Sequence, residues 1–154
     1  MRARSWGAGL ILAAVSLTPV RAQQPSDIDA IKAAHQAFYA ALRARDLAAM
    51  ERLWAAKPYI ILIGPGSKTP SIGAAAVKAY WQGVFAAFAN VSASSQILQG
   101  QADGKLAWIV ATETTEARGK GGKPVTLHTF VTHIFEKEGD RWLLVSHQSQ
   151  AVPK

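Results

Sequence analysis

A stripe of Ile28, Ile31, His35, Phe38 and Leu42 recurs at three- and four-residue spacing, with a largely alanine-rich remainder between its members. It predicts an amphipathic helix with one buried face, opened by Ser26 or Asp27 as N-cap. Asp46 offers a second cap before Leu47, Met50, Leu53 and Trp54, which predicts a shorter helix. Lys57-Pro58 ends it, because proline disfavours helical geometry in the residue before it. The pattern then becomes a continuous apolar run, Tyr59 to Ile63, read as a strand that Gly64-Pro65-Gly66 breaks. The segment to Pro70 reads as a turn with at most a brief strand. Near Gly73 a third helix begins, its wide aromatic face made by Val77, Tyr80, Trp81, Val84, Phe85 and Phe88.

The last third changes period. Val91 to Gln99, Lys105 to Glu116, Pro124 to Lys137 and Arg141 to Gln150 are β-branched and aromatic stretches. Asp103-Gly104, Gly119 to Gly122 and Gly139-Asp140 join them, each with residues that tolerate positive φ. The reading is a four-stranded antiparallel meander, and helices followed by strands define an α+β class. At 154 residues with 49% hydrophobic composition, the chain has room for one domain and the means to bury its core.

The N-terminus stands apart from this domain. Arg2 and Arg4 precede an apolar run from Trp6 to Leu17, and Val20 and Ala22 are small residues placed as a secretory cleavage site requires. Residues 1–22 are therefore expected to be a signal peptide cut before Gln23, with 23–26 a flexible lead and 27–152 the folded domain. The expected location is the periplasm or the exterior, free of the membrane after cleavage. Removing Arg2, Arg4 and Arg21 from 17 basic residues leaves 14 against 10 acids, so the net charge falls from +7 to about +4. The remaining cations are interspersed with acids, which argues against a nucleic-acid partner. Arg118 to Lys123 reads as a solvated hairpin turn. With no Cys, stability must come from packing.

This order of elements resembles the SnoaL-like and kinase-association-domain branch of the nuclear transport factor 2-like superfamily. Gly64-Pro65-Gly66 before the Gly73 helix carries the resemblance, together with Glu138-Gly139-Asp140-Arg141-Trp142 and the later His147-Gln148-Ser149. It implies a curved, mostly antiparallel sheet wrapped around about three N-terminal helices, forming a cone with a pocket. It also implies small-molecule binding and a homodimer through the sheet's outer face. Glu113, His133 and Ser149 are similar in position to three arginines of the calcium/calmodulin-dependent kinase association domain. Since all three identities differ, that family's preference for acidic ligands does not carry over. The ketosteroid-isomerase relatives place an acidic base near the first strand, and Tyr59 to Ile63 contains none.

Parity along the strands selects the candidate chemistry, because alternate side chains share a face. Glu113 aligns with Ala107, Ile109 and Ala111, as either a rim group or a pocket carboxyl with a raised pKa. His133 aligns with Val125, Leu127, Val131 and Phe135, and His128 with the opposite face. His147 and Ser149 share parity with Leu143 and Val145, although the length of the Gly139 turn leaves the register of the last hairpin open. His35 interrupts the stripe of the helix that lids the cone in this superfamily. Each histidine has a structural reading beside the functional one: a hydrogen-bonded core imidazole. Trp54, Tyr59, Tyr80 and Trp108 are read as core or cavity wall.

Two functions follow. One is capture of a small, partly hydrophobic molecule by His35, Trp54, Tyr59, Tyr80, Glu113, His133, His147 and Ser149. The other is acid/base catalysis of the isomerase, cyclase or hydratase type without a cofactor, using Glu113, His133 and His147. No metal is expected, since no short-spaced helical histidine pair exists. A blander alternative is self-association through Trp108, Phe130 and Trp142.

Overall fold

Ser26 is the N-cap of the first helix: its hydroxyl accepts from the Asp29 amide at 3.2 Å. The computed structural model describes residues 26–119 and 121–152, so the expected signal peptide and most of the lead lie outside the described residues. Helix α1 spans Asp27–Ala44, and its buried side chains include Ile31, His35, Phe38 and Leu42 of the expected stripe. Asp46 caps α2, Leu47–Arg52, accepting from the Ala49 amide at 2.9 Å. Helix α3 spans Ala74–Ala87 and buries Val77, Trp81 and Phe85. Phe88, read as helical from the pattern, is instead the first residue of a strand.

The strands are β1 (Ile61–Ile63), β2 (Ser71–Ile72), β3 (Phe88–Ala102), β4 (Leu106–Gly119), β5 (Pro124–Glu138) and β6 (Arg141–Ala151). They form a mixed sheet in the order β2-β1-β6-β5-β4-β3. The four long strands are the expected antiparallel meander, and β1 adds to it parallel to β6. The sheet is curved and unclosed, and α1 packs against β3, β4 and β6 on its inner side. Phe38 is fully buried there, and a side chain of that kind contributes roughly 1.5–3 kcal/mol when removed from water. Among the described residues no helix is long and apolar enough to cross a membrane.

Two details decide where the C-terminal histidine points. Glu138 pairs with Arg141, so the last hairpin has a two-residue turn, with Gly139 at φ 59°. A bulge then interrupts the ladder: Phe135 pairs with Leu144 and Ile134 with Ser146, leaving Val145 over. The extra residue reverses the alternation of β6. His147 and Ser149 therefore share the inner face with Trp142 and Leu144, not with Leu143 and Val145 as simple parity implies.

Candidate functional site

Between α3 and the inner face of the sheet lies a cavity of about 110 Å³. Tyr80, Trp81 and Val84 of α3 form its apolar wall with Leu42 of α1 and Phe88, and Pro65 of the Gly64-Pro65-Gly66 turn borders it. The sheet contributes Glu113 and Thr115 from β4 and His147 and Ser149 from β6. Val91, Ala117 and Val125 are shared with an adjoining groove toward the open end of the sheet. Gly64 is required by this arrangement, since a Cβ there would lie 1.8 Å from the Tyr80 hydroxyl.

Three buried imidazoles stand in line, running inward from His147 of the cavity wall. His133 Nε2 is 2.8 Å from His147 Nδ1, and His133 Nδ1 is 3.0 Å from His35 Nδ1. His35 Nε2 is 2.9 Å from the Ser95 hydroxyl. Burial holds all three rings neutral, because a charged imidazole would lose its hydration. It lowers His35 to about 4 and His147 to about 3, with the neighbouring His35 contributing to the latter. His133 is pushed well below its ordinary value by burial and then by His147 and His35.

Glu113 is a group of the cavity wall with only 8% of its surface exposed. Its Oε1 accepts from the Thr115 hydroxyl at 2.8 Å and the Thr129 hydroxyl at 3.3 Å. The Tyr39 hydroxyl is buried beside Glu113 and Ser95 without closing a hydrogen bond to either. Burial raises the Tyr39 and Tyr80 hydroxyls above the usual phenol value, and the Glu113 charge adds to both shifts.

Of the residues singled out from sequence, Tyr80, Glu113, His147 and Ser149 line the cavity, while His35 and His133 form the row behind it. Trp54 and Tyr59 do not reach it. Trp54 is buried in a separate cleft with Ile60 and Val77, beside β6. Tyr59 is 54% exposed and donates to Glu136 Oε2 at 2.7 Å; it precedes β1, so the alternation of that strand never applied to it. His128 lies outside, 3.2 Å from the Thr114 hydroxyl. Trp142, offered for self-association, is buried with its Nε1 donating to Asp27 at 3.3 Å.

The sequence reading missed Ser95, Tyr39 and Thr115. Thr115 shares parity with Glu113, Ser95 with Val91 and Ala93, and Tyr39 follows His35 by one helical turn, so the periodicities that found their neighbours could have found them.

Residues 31–153 match the SnoaL-like domain family, and the chain belongs to it. The fold is similar to that of a candidate dehydratase of the nuclear transport factor 2-like family from Streptomyces avermitilis, with TM-score 0.74 and 20% identity over 83% of this chain and 98% of that one. A candidate calcium/calmodulin-dependent protein kinase type II association domain from Thiobacillus denitrificans superimposes with TM-score 0.69 at 27% identity, covering 79% and 94% of the two chains. A ketosteroid isomerase-like protein from Erwinia carotovora atroseptica gives TM-score 0.71 at 16% identity over 83% and 98%. No curated protein matches the sequence.

Proposed function

We propose that this chain is an exported SnoaL-like domain that binds a small, neutral, partly hydrophobic organic molecule in the cavity. The observation that carries the reading is the wall itself: apolar over most of its area, with Glu113, Thr115, His147 and Ser149 on the sheet side and, among the described residues, no Lys or Arg in the lining. An anionic ligand would meet the Glu113 carboxylate with no cation to offset it, whereas a hydroxyl-bearing one can donate to it. Ser149 Oγ and Trp81 Nε1, both on wall residues, have no hydrogen-bond partner among the described residues, and buried polar atoms ordinarily find one. The cavity volume suits a single ring, with the rest of the molecule emerging past Ala117 and Val125 into the groove.

The test is thermal melting against a panel of neutral hydroxylated and ketonic ring compounds. Binding to the folded state alone raises the melting temperature by mass action. Ala117→Trp, which fills the mouth, should abolish the rise. A panel in which nothing shifts the wild-type melt counts against binding.

A second reading is favoured by one pairing: Glu113 and His147 border the same cavity. A carboxylate base and a neutral imidazole on one ligand are the elements of an isomerase- or dehydratase-type proton transfer without a cofactor. For a substrate found among the binders, Glu113→Gln should reduce kcat by about 100-fold or more. Unchanged turnover would remove Glu113 from the chemistry.

Homodimer formation belongs to the same proposal. It is supported by exposed Phe130 flanked by half-buried Trp108, Val110 and Ile134 on the outer sheet face. Export rests on the pattern of residues 1–22 alone.

A further inference from the structure

The three buried histidines come from α1, β5 and β6, and their contacts constrain one another. A neutral imidazole carries one N–H and one bare nitrogen. The His35 Nδ1 to His133 Nδ1 contact needs one proton and no more, and so does the His133 Nε2 to His147 Nδ1 contact. If His35 holds its proton on Nδ1, His133 must hold its own on Nε2, and His147 must hold its own on Nε2. If His35 holds its proton on Nε2, donating to Ser95 Oγ, His133 carries Nδ1–H and His147 carries Nδ1–H. Among all the combinations that three neutral rings allow, only these two close both contacts. They differ at Nε2 of His147, the nitrogen that neither contact uses on a ring that lines the cavity, which is an N–H in the first order and a bare nitrogen in the second.

We infer that His35, His133, His147 and the Ser95 hydroxyl form one tautomeric proton wire, which makes His147 Nε2 a donor or an acceptor as the cavity's occupant requires. The occupant this fits is a neutral ring compound whose oxygen can exist as ketone or enol: the carbonyl accepts in the first order, the hydroxyl donates in the second. A further hydroxyl on the same molecule can reach Glu113. The ligand class deepens the proposed function and rests on it, whereas the wire does not.

The passage between the two orders balances. The His147 Nε2 proton leaves to water, or to the occupant's oxygen as the occupant gives up its carbon-bound proton to water, and the His133 Nε2 proton crosses to His147 Nδ1. The His35 Nδ1 proton crosses to His133 Nδ1, the Ser95 hydroxyl proton moves to His35 Nε2, and water returns a proton to Ser95 Oγ. Every ring holds one proton before and after. Ser95 is only partly buried, whereas the imidazoles are buried, so the wire has one end near water and the other on the cavity. Its interior is dry: Phe38 covers His133 and His147 at ring-centroid distances of 4.7 and 5.0 Å, and no carboxylate hydrogen-bonds to any of the three rings among the described residues.

Nuclear magnetic resonance of the full mature chain with isotopically labelled histidine nitrogens reads which nitrogen of each ring is protonated. At neutral pH the ligand-free protein should show only the two orders, the populations of the three rings moving together. Ser95→Ala, remote from His147, should shift the tautomer balance of His147 as well as that of His35, and Ser95→Thr should restore it. Cyclohexenone and phenol, as carbonyl and hydroxyl probes, should drive all three rings in opposite directions. A cationic ring, a third combination, or a Ser95→Ala spectrum in which His35 moves and His147 does not would overturn the wire. If neither probe binds while the rings still shift together in Ser95→Ala, the wire stands and the cavity reading falls.

Discussion

The Phe38 ring stacks on the His147 imidazole, with centroids 5.0 Å apart and planes 25° from parallel. An aromatic face from α1 thus lies against a titratable group of β6. The contact suits an uncharged ring buried without a counterion, and it ties the helix to the protonation state of the sheet.

Stability should therefore depend on pH in a defined window. In the unfolded chain the histidines titrate near 6.5, while in the folded chain burial holds His35 at about 4, His147 at about 3 and His133 well below its ordinary value. Below pH 6.5 the unfolded state takes up protons that the folded state refuses, so stability is full above that value and falls as the pH drops toward 4. One such ring corresponds to a loss on the order of 3 kcal/mol at the acid end. Urea unfolding from about pH 7.5 down to about pH 4.5 measures it. A free energy flat across that range would mean that the rings are not held neutral.

Gly64→Ala should be costly although the substitution is small. Its Cβ would fall 1.8 Å from the Tyr80 hydroxyl and 2.7 Å from the ring carbon behind it, and overpacking of this kind costs roughly 1–3 kcal/mol. Tyr80→Phe removes the nearer of the two atoms, so Gly64→Ala should cost less in that background. A double-mutant cycle by chemical denaturation checks the coupling, and strict additivity would show that Tyr80 is not what excludes the side chain.

Phe130→Lys should convert a dimer into a monomer while leaving the fold intact. Phe130 is 47% exposed on the outer face, so the change removes apolar area and adds a charge without touching the cavity. Sedimentation of wild type and variant gives the answer. A wild-type chain that sediments as a monomer at micromolar concentration would end the dimer proposal.

Expression of the full chain in a secreting host should yield a mature protein beginning at Gln23. N-terminal sequencing of the exported material decides it, and a product retaining Met1 to Ala22 would refute export by cleavage.

The architecture could be read from the sequence because periodicity maps onto burial. The stripe through Ile31, His35 and Phe38 specifies a helix face, and the alternation through Val131, His133 and Phe135 assigns His133 to the interior, where it is fully buried. The site was legible only in part, for two physical reasons. Alternation holds until an extra residue interrupts it, and Val145 does so between Leu144 and Ser146, so the company His147 keeps could not be counted along its strand. Convergence is also a property of packing: Ser95 and His35 lie 60 positions apart, and nothing local to either predicts their contact. Trp54 and Tyr59 show that aromatic character alone does not place a residue at the cavity: Trp54 is buried in the core beside a separate cleft, and Tyr59 is exposed ahead of β1.

The lack of Lys and Arg in the cavity lining among the described residues also bears on how the pocket fills. An uncharged solute approaching walls of this kind gains no long-range pull from them, so its arrival is governed by unsteered diffusion and by the width of the mouth. Capture should accordingly be indifferent to ionic strength.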